Sequence, residues 1–321
     1  MPQEMLSVVM PCYNEEDVLN ITWQRLRDTL VKLEIPWEVI FIDDGSTDRT
    51  LEIIQALRRA DERVKYLSFS RNFGQQVAYS AGLQCVRGSC ALLLDADLQD
   101  SPEYLRDFIK KHSEGYQVVY GIRARRKEGW LLRSTYSLFY RLMSSVSGTV
   151  MPRDAGDFAL IDRVVVDAIN SAPERNRFLR GLRSWAGFRQ TGVVCERAAR
   201  AAGEAKYNLV RLTKLALDGI LSFSYVPLYA FSYAGFVVAT ASFGLMLAFL
   251  VKKLIVGTEP TGFPAQICTV LFLGGVQLIG IGVLGLYIAR IYDEVKQRPL
   301  YVVKESAGMS SATEQSAKHG I

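Results

Sequence analysis

Along the first third of the chain, apolar residues arrive in short runs separated by longer stretches of helical periodicity. The runs Leu6–Pro11, Trp37–Ile42, Val64–Phe69, Ala91–Leu94 and Gln117–Tyr120 are β-rich and read as strands. Between them, Glu15–Leu33, Thr47–Arg59, Phe73–Val86 and Pro102–His112 are each long enough for a helix. Repeated strand–helix alternation predicts an α/β fold with a mostly parallel sheet covered on both faces. Far downstream the pattern changes character. From Gly219 to Val251, and again from Pro260 to Ala289, no Asp, Glu, Lys or Arg occurs. Within those runs Tyr229–Val251 and Ala265–Ala289 are expected to span a membrane, since at about 1.5 Å per residue each reaches roughly 35 Å. The connection Lys252–Pro264 holds Gly257, Pro260, Gly262 and Pro264 and reads as a tight hairpin loop.

The flanks orient this hairpin. Its connection carries two basic residues, whereas the other sides carry Arg211, Lys214, Arg290, Lys296, Arg298 and Lys304. The positive-inside rule then places both termini in the cytosol, in a multi-pass protein of the inner or plasma membrane. The start, Met1-Pro2-Gln3-Glu4, lacks a basic n-region, so no signal peptide is expected. Small residues recur every seven positions, at Ala234, Ala241 and Ala248 and at Gly275, Gly282 and Ala289. Such a stripe suits close helix approach, either between the two spans or between subunits of a homo-oligomer such as a tetramer. Two amphipathic stretches precede the membrane. Phe178, Leu182, Trp185 and Phe188 lie near Arg175, Arg180, Arg183 and Arg189; Leu209, Leu212, Leu215, Ile220 and Phe223 lie beside Arg211 and Lys214. Each suits the headgroup layer, with a packed core helix as the alternative. The small, polar tail Ser306–Ile321 is expected to be disordered.

Composition narrows the class. Of 321 residues, 49% are hydrophobic and 22% charged, ordinary globular values that conceal a soluble front and an apolar back. A purely soluble enzyme and a transporter made mostly of lipid-facing helices are both excluded. The net charge of +5 is too mild to imply nucleic acid. The basic excess is local, in Arg123–Arg133, Arg175–Arg189 and the flanks of the apolar runs, where phosphates or anionic headgroups are natural partners. Five cysteines without a C-x-x-C pair give no support for a disulfide framework or a zinc site.

Candidate chemistry stands at the strand ends, where ligands bind in parallel α/β sheets. Strand one runs into Pro11-Cys12-Tyr13-Asn14-Glu15-Glu16, strand two into Asp43-Asp44-Gly45-Ser46-Thr47-Asp48, and strand four into Asp95-Ala96-Asp97-Leu98-Gln99-Asp100. Three strands thus deliver carboxylates to one edge, where a cation or a hydrogen-bonding ligand would relieve their repulsion. Helix capping is the competing account, strongest for the loop from Ser46 to Asp48. In Asp95-x-Asp97 the alternation of an extended strand turns both acids the same way. Oxygen ligands there select Mg²⁺ or Mn²⁺ over zinc. With only His112 and His319, histidine-based triads have little support, and no P-loop or G-x-G-x-x-G string occurs.

These residues resemble glycosyltransferase family 2, and more closely its polyisoprenyl-phosphate branch, typified by bactoprenol glucosyltransferases and dolichyl-phosphate mannose synthases. The resemblance rests on Val9–Glu15, Ile42–Asp48, Arg71-Asn72-Phe73-Gly74, Leu94–Asp100, Gly156-Asp157-Phe158 and Gly203-Glu204-Ala205-Lys206-Tyr207, ahead of two spans. It implies a GT-A-type nucleotide-sugar domain over 1–170. Interface helices with a returning strand and a juxtamembrane segment would follow over 171–228, then the two spans over 229–289 and a cytosolic tail over 290–321. It implies that Pro11, Tyr13, Glu15 and Asp44 line the nucleotide pocket and that Asp95 sits by the sugar-nucleotide. Asp97 and Gln99 would hold a divalent metal, and Arg123 and Arg133, in a loop over the site, would grip phosphates. Asp157 would be the acceptor-side acid. The implied reaction is inverting transfer of one hexose, glucose from UDP-glucose foremost, to polyprenyl (undecaprenyl) phosphate. Transfer of mannose from GDP-mannose or of a modified pentose, and a non-catalytic sugar-nucleotide-binding module, are the alternatives. Processive relatives carry Q-x-x-R-W; here Arg180-Gly181-Leu182-Arg183-Ser184-Trp185 lacks the glutamine and places the tryptophan one residue late. Single-sugar transfer is therefore expected.

Overall fold

The computed structural model describes residues 5–123, 155–175, 177–196, 226–256 and 262–309. Among these, the front of the chain runs β1 (Leu6–Cys12), α1 (Leu19–Val31), β2 (Trp37–Asp43), α2 (Thr50–Ala60), β3 (Val64–Phe69), α3 (Gln75–Cys85) and β4 (Cys90–Leu93). A 3-10 turn at Pro102–Tyr104 leads into α4 (Leu105–Ser113). Then come β5 (Val118–Arg123), β6 (Ala155–Asp162), α5 (Arg163–Ser171), α6 (Leu179–Trp185) and β7 (Gln190–Cys195). Two long helices, α7 (Val226–Val256) and α8 (Phe263–Lys296), precede a last strand, β8 (Val303–Ala307). The chain divides into two compact units, one holding α7 and α8 and the other holding the remaining elements, β8 included.

The first unit is built on an eight-stranded sheet of order β7-β5-β6-β4-β1-β2-β3-β8. Its centre is parallel, β4 to β1 to β2 to β3, while β6 against β4, β6 against β5 and β8 against β3 are antiparallel. Alternation explains the two-faced core. Val9, Ile40, Ile42, Ala91 and Leu93 point to the layer of α3, α5 and α6; Val8, Met10, Val39, Phe41 and Leu92 point to the layer of α1, α2 and α4. Helix α1 shows the matching stripe, with Leu19, Trp23, Leu26 and Leu30 buried at helical spacing. The strand–helix alternation expected from the sequence is present, with helix starts three or four residues later for α1 and α2.

Three local expectations change. The stretch around Leu182 is a core helix, not a membrane-surface one: Leu179 and Leu182 are buried with the sheet, and Arg183 is buried too. An amphipathic pattern records only that one face avoids water, and here the sheet beside β6 supplies that cover. Trp185 alone of its stripe is well exposed, at 56%. Second, Ser306 and Ala307, assigned to a disordered tail, belong to β8, whose partner β3 lies far away in sequence. Third, β6 was not anticipated as a strand, although Gly156-Asp157-Phe158 lies within it. The loop containing Arg133, the Gly203–Tyr207 motif, the stripe from Leu209 to Phe223 and the tail from residue 310 lie outside the described residues.

In the second unit, α7 and α8 contain the two expected spans in full. The stretch Phe272–Lys296 is long and apolar enough to cross a membrane, with mean hydropathy 1.9 and none of it buried within the protein. Side chains such as Phe236, Leu245, Leu278 and Ile288 are more than half exposed. Close approach between the helices occurs at Gly280, where an added Cβ would sit 3.3 Å from the Phe231 ring, whereas Gly275 and Gly282 face open space.

Candidate active site

The loops after β1 and β2 are knitted into one rim. The Asn14 and Glu15 amides donate to Ser46 Oγ and Thr50 Oγ1 at 3.1 and 2.8 Å, and Thr47 N–H donates to Asn14 Oδ1 at 2.8 Å. Asp43 is consumed internally: its carboxylate accepts from the Ser46 amide and the Ser68 hydroxyl. Asp44 is held differently. Its two oxygens accept the backbone N–H groups of Phe73 and Gly74 at 2.7 and 2.9 Å, which fixes the carboxylate plane and leaves about two lone-pair positions for a ligand. Two glycines make this possible. Gly45 has φ +71° and no room for a Cβ, which would lie 2.4 Å from the Arg71 carbonyl carbon; Gly74 has φ +101°. On the same rim Pro11 is buried within β1, and Tyr13 is 45% exposed.

The third strand end carries the acid pair. Asp95 Oδ1 accepts from Gln75 Nε2 and from Tyr79 OH, both at 2.6 Å. Burial pushes its carboxyl up to about 6; the Tyr79 bond opposes that, and the charges of Asp157, Asp100 and Asp97 add to it. Asp97 Oδ1 accepts the Gln99 amide at 3.1 Å across a turn in which Leu98 takes the left-handed φ of +61°. A leucine there is strained, as residues at functional sites often are. The three strand ends share one field: the buried Cys12 thiol is pushed well up by burial first, then by Glu15, Asp43, Asp95 and Asp48.

Asp157, on β6, completes the edge. Arg180 grips it bidentately, Nε to Oδ1 and Nη2 to Oδ2, both at 2.7 Å. Gln76 is a second partner, and its orientation is set because its Oε1 accepts the Leu179 amide at 3.0 Å, turning its amide nitrogen toward the acid. Burial alone would raise the Asp157 carboxyl, but the Arg180 bonds and charge, with Arg183 and Gln76, hold it below the usual range. Arg183 lies behind the pair, buried, with its guanidinium 5.3 Å from the Tyr120 ring centre and its pKa lowered to about 10 by burial. The first turn of α3 therefore touches both acids, Gln75 on Asp95 and Gln76 on Asp157.

The structure thus gathers Pro11, Tyr13, Glu15, Asp44, Asp95, Asp97, Gln99 and Asp157 at one end of the sheet. Arg123 closes β5, beside Cys195 of β7, and Arg133 lies outside the described residues. No sequence motif marks Gln75, Gln76, Tyr79 or Arg180, and Arg180, expected beside headgroups, turns instead to Asp157. The donor set suits a hard divalent cation, since Asp95, Asp97 and the buried Gln99 offer only oxygen ligands near the reacting edge. Among the described residues no three His, Cys, Asp or Glu side chains form a closed cage. An ion there fits the Mg²⁺ habit of one or two carboxylates completed by substrate phosphate and water.

Comparison with known proteins gives the family. The family model for glycosyl transferase family 2 matches residues 7–169. An uncharacterized glycosyltransferase of Bacillus subtilis is 44% identical over 95% of both chains. A prophage-derived bactoprenol glucosyl transferase of Shigella flexneri is 42% identical over 94% of this chain and 98% of its own. A prophage bactoprenol glucosyl transferase homolog of Escherichia coli is 41% identical, over 93% and 98%. The matched family segment carries every acid of the rim, and the relatives extend across the apolar helices as well: the chain belongs to glycosyl transferase family 2 and is a glycosyltransferase.

Proposed function

We propose that the protein transfers a single hexose, glucose from UDP-glucose, to undecaprenyl phosphate at the cytosolic face of the membrane, with inversion and with a divalent cation. The observation that carries the reading is one sheet edge holding Asp44, Asp95, Asp97, Gln99 and Asp157 in a chain whose other unit is two exposed apolar helices. The names of the Shigella and Escherichia relatives favour a glucosyl donor and a bactoprenol acceptor. In this reading Pro11, Tyr13, Glu15 and the clamped Asp44 bind the nucleotide, and Asp95 orients the sugar. Asp97 and Gln99 hold the cation, which supplies charge neutralisation to the departing diphosphate. Arg123 and Arg133 grip phosphate oxygens.

The acceptor's second ionisation lies around pH 6 by analogy with other phosphomonoesters, so it arrives at neutral pH already a nucleophile. One of its oxygens attacks the anomeric carbon while the bond to the nucleoside diphosphate breaks, and no proton need be removed. That agrees with Asp157 being held ionised by Arg180: it positions and does not need to act as a strong base. Helices α7 and α8 form the two-span hairpin, with the catalytic unit and both termini cytosolic, so that the site meets a phosphate whose tail stays in lipid. The test is incubation of membranes containing the protein with labelled UDP-glucose or GDP-mannose and undecaprenyl phosphate, then organic extraction. Label from UDP-glucose in the lipid phase with Mg²⁺, and none with EDTA, is expected. Label from GDP-mannose alone would replace the donor, and no label from either would favour a binding role.

A further inference from the structure

The strand that follows the apolar helices does more than finish the sheet. After α8 the chain comes back at Tyr301, whose ring is wholly buried and stacks on Phe69 with centroids 4.8 Å apart and planes at 21°. Its hydroxyl donates to Gln84 Oε1 at 2.6 Å, which fixes the ring against α3. Phe69, at the end of β3, meets Phe73 edge-on at 5.7 Å. The Ser70 amide donates to the Val302 carbonyl at 2.9 Å, so the loop from Ser70 to Gly74 is stitched to the returning segment at its first residue. The far end of that loop is the pair of amides that grips both oxygens of Asp44. From Tyr301 through Phe69 and Phe73 to Asp44, every step is a ring contact or a hydrogen bond.

We propose that Tyr301 is a positioning residue for the donor nucleotide: the returning segment holds the Ser70–Gly74 loop, and that loop presets the Asp44 carboxylate for the ligand. The inference rests on Asp44 being a nucleotide contact, as proposed above. A five-residue connection without this support would sample other conformations, and each binding event would have to order it again. Neither the family motifs nor the strand–helix alternation points to residue 301, because its partners lie more than two hundred residues away.

The test uses the full-length protein in detergent or nanodiscs, with UDP binding by calorimetry and initial rates at varied UDP-glucose. Tyr301→Ala is expected to weaken UDP binding and raise the donor KM about tenfold, with kcat per folded molecule within about twofold of the parent. Tyr301→Phe, which keeps the stack and loses the Gln84 bond, recovers most of the donor affinity. Should Tyr301→Ala fail to accumulate, Tyr301→Leu keeps bulk without the stack and is read the same way. A Tyr301→Ala or Tyr301→Leu protein with parental KM and UDP affinity but lower Vmax has merely lost folded enzyme, and overturns the proposal. Asp44→Ala separates the two claims. If it binds UDP like the parent, the nucleotide reading of Asp44 falls and the proposal with it; if it loses UDP while Tyr301→Ala does not, the proposal alone falls.

Discussion

Asp157 and Arg180 form the most consequential single contact of the site. A carboxylate this enclosed would be costly if unpaired, and the arginine fork supplies two short charge-assisted bonds. Arg180→Met should destabilise the first unit by about 1–3 kcal/mol, below a fully buried pair because Arg180 keeps some solvent contact. The pH dependence has a definite sign. The folded-state pKa of Asp157 is depressed, so its contribution is present above the unfolded value and is lost as pH falls through the folded one. Chemical denaturation should therefore show the gap between Arg180→Met and the parent at full size where Asp157 is ionised in both, and shrinking as pH falls, because burial makes the unpaired Asp157 of the variant take up a proton at higher pH than the parent's does. In transfer assays Asp157→Asn should slow turnover less than Asp97→Asn; the reverse would make Asp157 the essential group. At this scale the position of Asp44 and Asp95 at strand ends was legible, because each stands just past an apolar run, and Asp97 and Gln99 follow in the same loop. Gln76, Tyr79 and Arg180 were not. They sit in helices of ordinary composition, and only the folded chain brings Arg180 across to β6.

At the scale of elements, α6 shows where pattern reading stops. Its apolar stripe and flanking arginines satisfy both a core helix and a membrane-surface helix, since either needs one dry face. The structure decides through burial: Leu182 is 1% exposed and Trp185 56%. Leu182→Ala should cost about 2–5 kcal/mol in unfolding of the first unit, while Trp185→Ala costs little, because only the first opens a cavity. Comparable losses at both positions would point instead to a cover over Trp185. The central strands were legible from runs of apolar residues, as parallel strands buried on both faces should be. The two strands that flank the parallel centre, β6 and β8, were not, since both are antiparallel to it and depend on partners remote in sequence.

For the whole molecule, two unlike units are joined in one chain. The apolar helices were the plainest feature of the sequence, because two long uncharged runs stand out from its ordinary overall composition. Their side chains remain exposed within the protein, which fits lipid contact. Single cysteines introduced into a variant lacking the native ones would test the hairpin. A cysteine at Thr258, in the connection, should react with an impermeant maleimide from outside intact cells, and one at Ser311 only after permeabilisation. The central claim, metal-assisted transfer of one sugar to a lipid phosphate, has a direct measurement. Purified protein is incubated with UDP-glucose, undecaprenyl phosphate and Mg²⁺, and the lipid is weighed by mass spectrometry beside an Asp97→Asn control. The account predicts a single hexosyl increment on the phosphate with the parent protein and almost none with the variant. An unmodified lipid, a ladder of increments, or equal product from Asp97→Asn would contradict it.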